Sequence, residues 1–153
     1  MHFHIVTLFP ESFSSYLGTS ILSRALEKKK IKVSYYNPRD FTADKHKRVD
    51  RRPYGGGPGM VLEAESVVKA IAKAKGKKRQ VKIVFFSPGG ELFTNVYADG
   101  LIKKYTDVIF ICGHYEGVDA RIKKVFSMDD ISIGPYVLTG GELAALIVMD
   151  ATT

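Results

Sequence analysis

Asp107-Val108-Ile109-Phe110-Ile111-Cys112-Gly113-His114-Tyr115-Glu116-Gly117 is the stretch that decides the fold class. After Asp107 comes a continuous apolar run of β-forming residues, too short for a helix, which predicts a buried strand. Gly113 ends it, and a glycine-bounded loop follows. The same pattern recurs on either side. Val81 to Phe86 is a second continuous apolar strand, cut by Ser87-Pro88-Gly89-Gly90. Asp130 to Ile133 is a shorter one, followed by Gly134-Pro135-Tyr136-Val137-Leu138-Thr139-Gly140-Gly141. Helical spacing fills the intervals: Val96 to Tyr105, Val118 to Phe126 and Gly141 to Asp150.

Further upstream, His2 to Phe9 and Ile31 to Tyr36 read as strands, the first broken by Pro10 and the second by Asn37-Pro38. Glu11 to Lys30 has helical periodicity, and Gly18 allows a break into two short helices. Glu63 to Lys75 is a helix closed by Gly76. Arg39 to Met60 shows no period, and a loop of that length is usually functional or mobile. Strands alternating with helices predict an α/β fold with a mostly parallel sheet flanked by helices. No repeat or linker divides residues 1–153, so a single domain is expected.

Composition narrows the function classes. Hydrophobic residues make up 45% of the 153 residues, enough for a real core, which argues against disorder. No apolar run approaches the roughly 18 residues of a membrane span. The first ten residues lack the basic start of a signal peptide. The single cysteine, Cys112, allows no intrachain disulfide. A soluble cytoplasmic protein with no membrane partner is the expectation. The net charge of +7 is unevenly spread. Of the 23 lysines and arginines, 18 lie between Arg24 and Lys82, against six acidic residues there; from Ile83 onward five face nine. Clustered cations suit a polyanion, because binding releases counterions from phosphates, although solvated lysine-rich loops give the same pattern.

Parallel α/β sheets collect ligands at the carboxyl ends of their strands. Three glycine-bearing loops fall there: Ser87 to Gly90, Gly113 to Gly117 and Gly134 to Gly141. Glycine lets backbone approach a ligand and expose its polar groups, as recognition of an adenine edge requires. Each cluster alone is also ordinary turn punctuation. Gly55-Gly56-Gly57-Pro58-Gly59 lacks the Gly-Lys-Ser/Thr of a phosphate loop, and no G-x-G-x-x-G follows the first strand. His2, His4, His46 and His114 show no metal-ligand spacing with Cys112, so no metal is expected. Cys112 reads as a small core residue. Glu116 stands between glycines in a strand-end loop, as either a surface or a ligand-facing carboxylate. Asp119 and Arg121 read as helix-start electrostatics.

Leu8-Phe9-Pro10-Glu11, Asp50 to Met60, Ser87 to Gly90, Ile111 to Arg121 (ICGHYEGVDAR) and Ser132 to Glu142 (SIGPYVLTGGE) together resemble the bacterial tRNA (guanine-N1)-methyltransferases of the knotted SPOUT class. The resemblance runs through the whole chain, and its last two motifs are specific. It implies methylation of N1 of guanine 37, just 3′ of the anticodon, with S-adenosylmethionine as donor. It also implies a C-terminal deep trefoil knot and a homodimer formed through the knot region. Carried over by motif, the cofactor contacts are Phe86, Ser87, Pro88, Gly113, Tyr115, Glu116, Gly117, Ile133, Gly134, Pro135, Tyr136, Val137, Leu138, Gly140 and Gly141. Glu116 takes a supporting catalytic role.

Pro135 stands where many members carry Asp, which removes an N–H and stiffens the loop. The tRNA contacts implied are Lys47, Arg48, Arg51, Arg52, Gly57 and Gly59. Members of the family continue into a linker bearing the general-base aspartate and a helical tRNA-binding domain. By the resemblance, both are expected beyond Thr153. This chain alone is therefore expected to be the cofactor-binding domain with little activity. The alternatives are a non-catalytic RNA-binding domain or a knotted methyltransferase with another RNA target.

Overall fold

The structure is a computed structural model that describes residues 1–153. Five parallel strands form the central sheet: β1 (His2–Val6), β2 (Lys32–Tyr36), β5 (Val81–Leu92), β6 (Asp107–Ile111) and β7 (Asp129–Ser132). Their spatial order is β2-β1-β6-β5-β7, every neighbouring pair parallel. A separate two-stranded antiparallel piece pairs β3 (Asp50–Arg51) with β4 (Val61–Leu62). The helices are α1 (Ser14–Leu17), α2 (Ser20–Glu27), α3 (Ala64–Lys75), α4 (Asn95–Lys104), α5 (Ile122–Val125) and α6 (Glu142–Ala151).

Alternate residues of the strands feed two apolar layers, as the strand period of two requires. Phe3, Ile5, Val84, Val108, Phe110 and Cys112 pack with Leu17, Leu22, Leu101 and the inner face of α6. Val6, Ile83, Ile109 and Ile111 pack on the other side with Val67, Ala70, Ile71 and Ala74 of α3 and with Ile122. The central strand β6 is therefore buried on both faces, which is why its sequence reads as a continuous apolar run rather than an alternation. At about 1.5–3 kcal/mol for each fully buried large aliphatic or aromatic side chain, the two layers hold the sheet between its helices.

Two local differences from the sequence reading, and one agreement with it at Gly18, have physical causes. The chain does not stop pairing at Ser87. β5 continues to Leu92, but Phe86 and Glu91 both register with Ile131, so residues 87–90 are looped out between two pairings. Gly18 does split the first helical segment, which begins as a 3-10 turn over Pro10–Phe13. The period-free stretch 39–60 is organised by side-chain capping and the β3–β4 pair. The Asp44 carboxylate accepts from the backbone N–H groups of His46 (2.8 Å) and Arg48 (3.1 Å), closing a turn over the basic run. These bonds, that from Arg48 first, hold the Asp44 carboxyl below its ordinary pKa.

Candidate active site

The looped-out residues 87–90 within β5 lie beside the carboxyl ends of β6 and β7, so this excursion and the loops after β6 and β7 converge. They enclose a cavity of about 260 Å³, just below the roughly 300–1,000 Å³ usual for small-molecule sites. Phe86, Ser87 and Pro88 come from the first loop. Gly113, His114, Tyr115, Glu116 and Gly117 come from the second. Ile133, Tyr136, Val137, Leu138, Thr139, Gly140 and Gly141 come from the third, with Ile131, Ser132 and Ala144 below. Much of the wall is backbone and apolar side chain, a surface that can cover the faces of a flat ring and leave polar edges to amides and carbonyls.

Close approach of the second and third loops fixes this shape. Gly141 donates its N–H to the carbonyl of Gly113 at 3.0 Å. A Cβ on Gly141 would sit 2.6 Å from the Cα of Cys112, so only glycine lets the two backbones meet there. A buried polar chain ties the same corner together. Thr7, at the end of β1, donates its hydroxyl to Glu142 Oε1 at 2.5 Å. Glu142 Oε2 lies 2.7 Å from His114 Nε2. The Thr7 hydroxyl also accepts from the N–H of Phe9, whose ring meets the His114 imidazole edge-on at 4.8 Å. Glu142 opens α6, where a carboxylate is favoured by the helix dipole. Burial, and then the nearby Glu142 charge, push the Cys112 thiol well above its usual range, which removes it as a nucleophile.

Tyr115 takes a left-handed backbone with φ of 61°, in a turn closed by the Gly117 N–H on the His114 carbonyl (3.0 Å). Such a conformation is costly for a non-glycine residue and is most often held in place at functional loops. Glu116, next to it, is exposed at the cavity rim. Its N–H donates to the carbonyl of Met60 at 3.0 Å, and Leu62 and Gly117 are bonded in the same way. The glycine-rich segment 55–59 is thereby moored to the cavity loop. Gly59, at φ of 80°, comes so near Glu116 that a Cβ there would lie 2.5 Å from Glu116 Cγ.

The tRNA (Guanine-1)-methyltransferase TrmD family matches this chain over residues 1–153. The chain belongs to this family. Similar curated proteins carry the name tRNA (guanine-N(1)-)-methyltransferase. That of Caldanaerobacter subterraneus subsp. tengcongensis is 49% identical over 153 residues, covering 100% of this chain and 62% of the relative. That of Buchnera aphidicola subsp. Acyrthosiphon pisum is 43% identical over 149 residues, covering 97% and 63%. That of Clostridioides difficile is 45% identical over 153 residues, covering 99% and 66%. The chain thus spans about three fifths of the length of the curated relatives it matches.

In this TrmD-family chain, thirteen of the fifteen residues expected from the motifs to contact a cofactor line the one cavity. Gly134 and Pro135 do not: Gly134 is buried against the Tyr136 ring, and Pro135 faces solvent. Sequence reading passes over His114, Ile131, Ser132, Thr139 and Ala144 in the wall, and over Thr7 and Glu142 behind it. His114 and Glu142 stand inside the quoted motifs, but their partnership spans 28 residues and no local spacing reveals it. Thr153 follows the end of α6, and its hydroxyl donates to the carbonyl of Met149 at 2.7 Å. The general base expected beyond Thr153 lies outside the described residues.

The six residues expected to meet RNA differ in their surroundings. Arg51 is held by Glu63 at 2.6 Å and donates to the Tyr54 hydroxyl. Tyr54 also receives Arg121, whose guanidinium lies 5.2 Å from its ring centroid and is paired with Asp119. Asp119 and Arg121 thus anchor the tip of the glycine loop besides opening α5. Lys47 is 4.0 Å from Asp40. Arg48 and Arg52 are exposed, Gly57 stands in open space, and Gly59 touches the cavity loop. No helix is long and apolar enough to cross a membrane.

Proposed function

We propose that these residues form the methyl-donor domain of a tRNA (guanine-N1)-methyltransferase that modifies N1 of guanine 37. The observation that carries the reading is the convergence of three loops, borne by three neighbouring strands, on one backbone-lined cavity. S-adenosylmethionine fits that wall. Phe86, Ile133 and Leu138 offer apolar cover, Gly113 and Gly140 offer backbone polar groups, and Glu116 offers a carboxylate at the rim. Bound there, the donor supplies an electrophilic methyl carbon on a sulfonium.

The chain's own contribution is position and charge. Glu116 balances the donor's positive charge and, through Gly59, faces the loop where the guanine would enter. The Thr7–Glu142–His114 chain keeps the second and third loops at the separation the ligand requires. Guanine N1 carries a proton that must be taken as it attacks. His114 and Glu142 are bonded to each other, and Glu116 is assigned to charge and placement. Proton removal is assigned, on the family resemblance, to a residue beyond Thr153. The 153 residues by themselves are therefore expected to bind donor but to transfer methyl groups poorly.

The closeness of Gly141 to the Cys112 backbone supports the trefoil knot that the family resemblance implies, the third loop being drawn tightly past the end of β6. A homodimer is proposed through the same corner, because Leu143 and Ile147 of α6, Val137 and Tyr16 leave apolar surface exposed. The basic segment around Arg48 and Arg52 is assigned to tRNA phosphates, and the compartment to the cytoplasm, where tRNA is modified. Titration calorimetry with S-adenosylhomocysteine, paired with a tritiated methyl-transfer assay on tRNA, tests the reading. Saturable binding with weak turnover is expected. Absence of binding would overturn the donor site, and turnover at full enzymatic rates would overturn the assignment of proton removal elsewhere.

A further inference from the structure

The end of the sheet opposite the cavity carries a second cluster. His2 and His4 are two apart on β1 and so point to the same face, and β6 brings Asp107 into register with His2. The three side chains present His2 Nδ1, His4 Nε2 and Asp107 Oδ1 to one another. The first lies 3.7 Å and the second 2.8 Å from the carboxylate oxygen, and all three ligand atoms fall within 4.8 Å of each other. Spacing along the sequence does not reveal the set, because its acidic member is about a hundred residues away and arrives through strand pairing.

We propose that His2, His4 and Asp107 bind a divalent transition-metal ion of the zinc class, clamping the start of β1 to the start of β6. Two imidazoles and one carboxylate are a ligand set that such ions accept at about 2.0–2.2 Å. His2 is the most exposed of the three, and its rotation toward Asp107 closes the set. The ring nitrogens not used for the ion already have partners. His2 Nε2 lies 2.9 Å from the Ser34 hydroxyl, and His4 Nδ1 lies 3.1 Å from the Tyr36 hydroxyl. Such outer contacts orient ligating histidines. A hydroxyl can donate or accept, so His4 can change tautomer as the ion replaces its bond to Asp107 and the two ligand atoms move apart to admit it.

Thr106 donates to the other carboxylate oxygen of Asp107 at 2.8 Å. Burial lowers the pKa of both imidazoles from the ordinary value. Lys32 and Lys78 act electrostatically on this cluster and oppose a cation. Their presence disfavours magnesium and calcium, which depend on several oxygen ligands, more than ions that bond strongly to imidazole.

The site is remote from the cavity, so its role is structural. The test uses untagged, chelator-treated protein, with Zn²⁺ followed by calorimetry and Co²⁺ followed by its visible absorption. One Zn²⁺ per chain is expected, with a tetrahedral Co²⁺ spectrum and a raised melting temperature. His2→Ala should weaken binding at least about tenfold, as should Asp107→Asn, while His46→Ala leaves it unchanged. His2→Ala removes a partly exposed side chain and keeps the core, so a folding defect does not obscure the readout. No saturable Zn²⁺ binding, or binding indifferent to His2→Ala, would overturn the site and leave only the His4–Asp107 hydrogen bond there. Displacement of Zn²⁺ by modest Mg²⁺ would overturn the assigned ion class.

Discussion

At the scale of single residues, the corner between Cys112 and Gly141 governs whether the cavity exists. Each side is backbone, so neither can yield as a flexible side chain would. Gly141→Ala is expected to destabilise the fold by about 1–3 kcal/mol, the usual cost of forcing an extra carbon into a packed region. Urea unfolding measures it, and loss of S-adenosylhomocysteine binding should accompany the change. Cys112 itself is legible in the sequence as a core residue, because an apolar strand surrounds it. The Thr7–Glu142–His114 chain is not legible, since its members lie on three separate elements and each is an ordinary residue in its own neighbourhood. Buried polar partnerships of this kind are fixed by topology, which no local pattern encodes.

At the scale of elements, the long periodic segments are the legible ones. β2, β6, α3, α4 and α6 nearly coincide with the bounds expected from periodicity, while β1 ends at Val6, short of the expected Phe9. What periodicity misses is short or irregular. β3 and β4 are two residues each, too brief to show alternation, and they are held by the Glu63 N–H on the Val49 carbonyl and by the Asp44 turn. The excursion at residues 87–90 reads as a strand end because Pro and Gly usually mark one, whereas here pairing resumes beyond it. α4 carries an opposite lesson. Its Gly100 is internal to a helix, and a Cβ there would meet nothing within 4 Å. Gly100→Ala should therefore raise stability by about 0.5–1 kcal/mol, read as a higher melting temperature with donor binding unchanged. A fall in stability would show that this face of α4 is covered.

For the whole molecule, parallel topology separates three roles in space. The proposed donor cavity lies at the looped-out residues of β5 and the carboxyl ends of β6 and β7, the histidine cluster at the amino ends of β1 and β6, and the basic residues of 45–52 in the segment around β3. α6 links the cavity to the proposed dimer surface, since its inner face is core while Leu143 and Ile147 remain exposed at 54% and 37%. Leu143→Glu with Ile147→Glu should convert the dimer to monomer in sedimentation and weaken donor binding. Monomeric wild-type protein with full donor affinity would remove the dimer from the account. The α/β class and the three loops follow from glycines placed after apolar strands. That the loops share one cavity depends on strand order, β6 lying between β1 and β5, which periodicity does not determine.

The most direct test of the donor site is amide chemical-shift mapping of the 153-residue chain titrated with S-adenosylhomocysteine. Perturbations are expected at residues 86–88, 113–117 and 132–141, saturating together, with the amino ends of the strands unmoved. Perturbations centred elsewhere, or none at saturating ligand, would contradict the account.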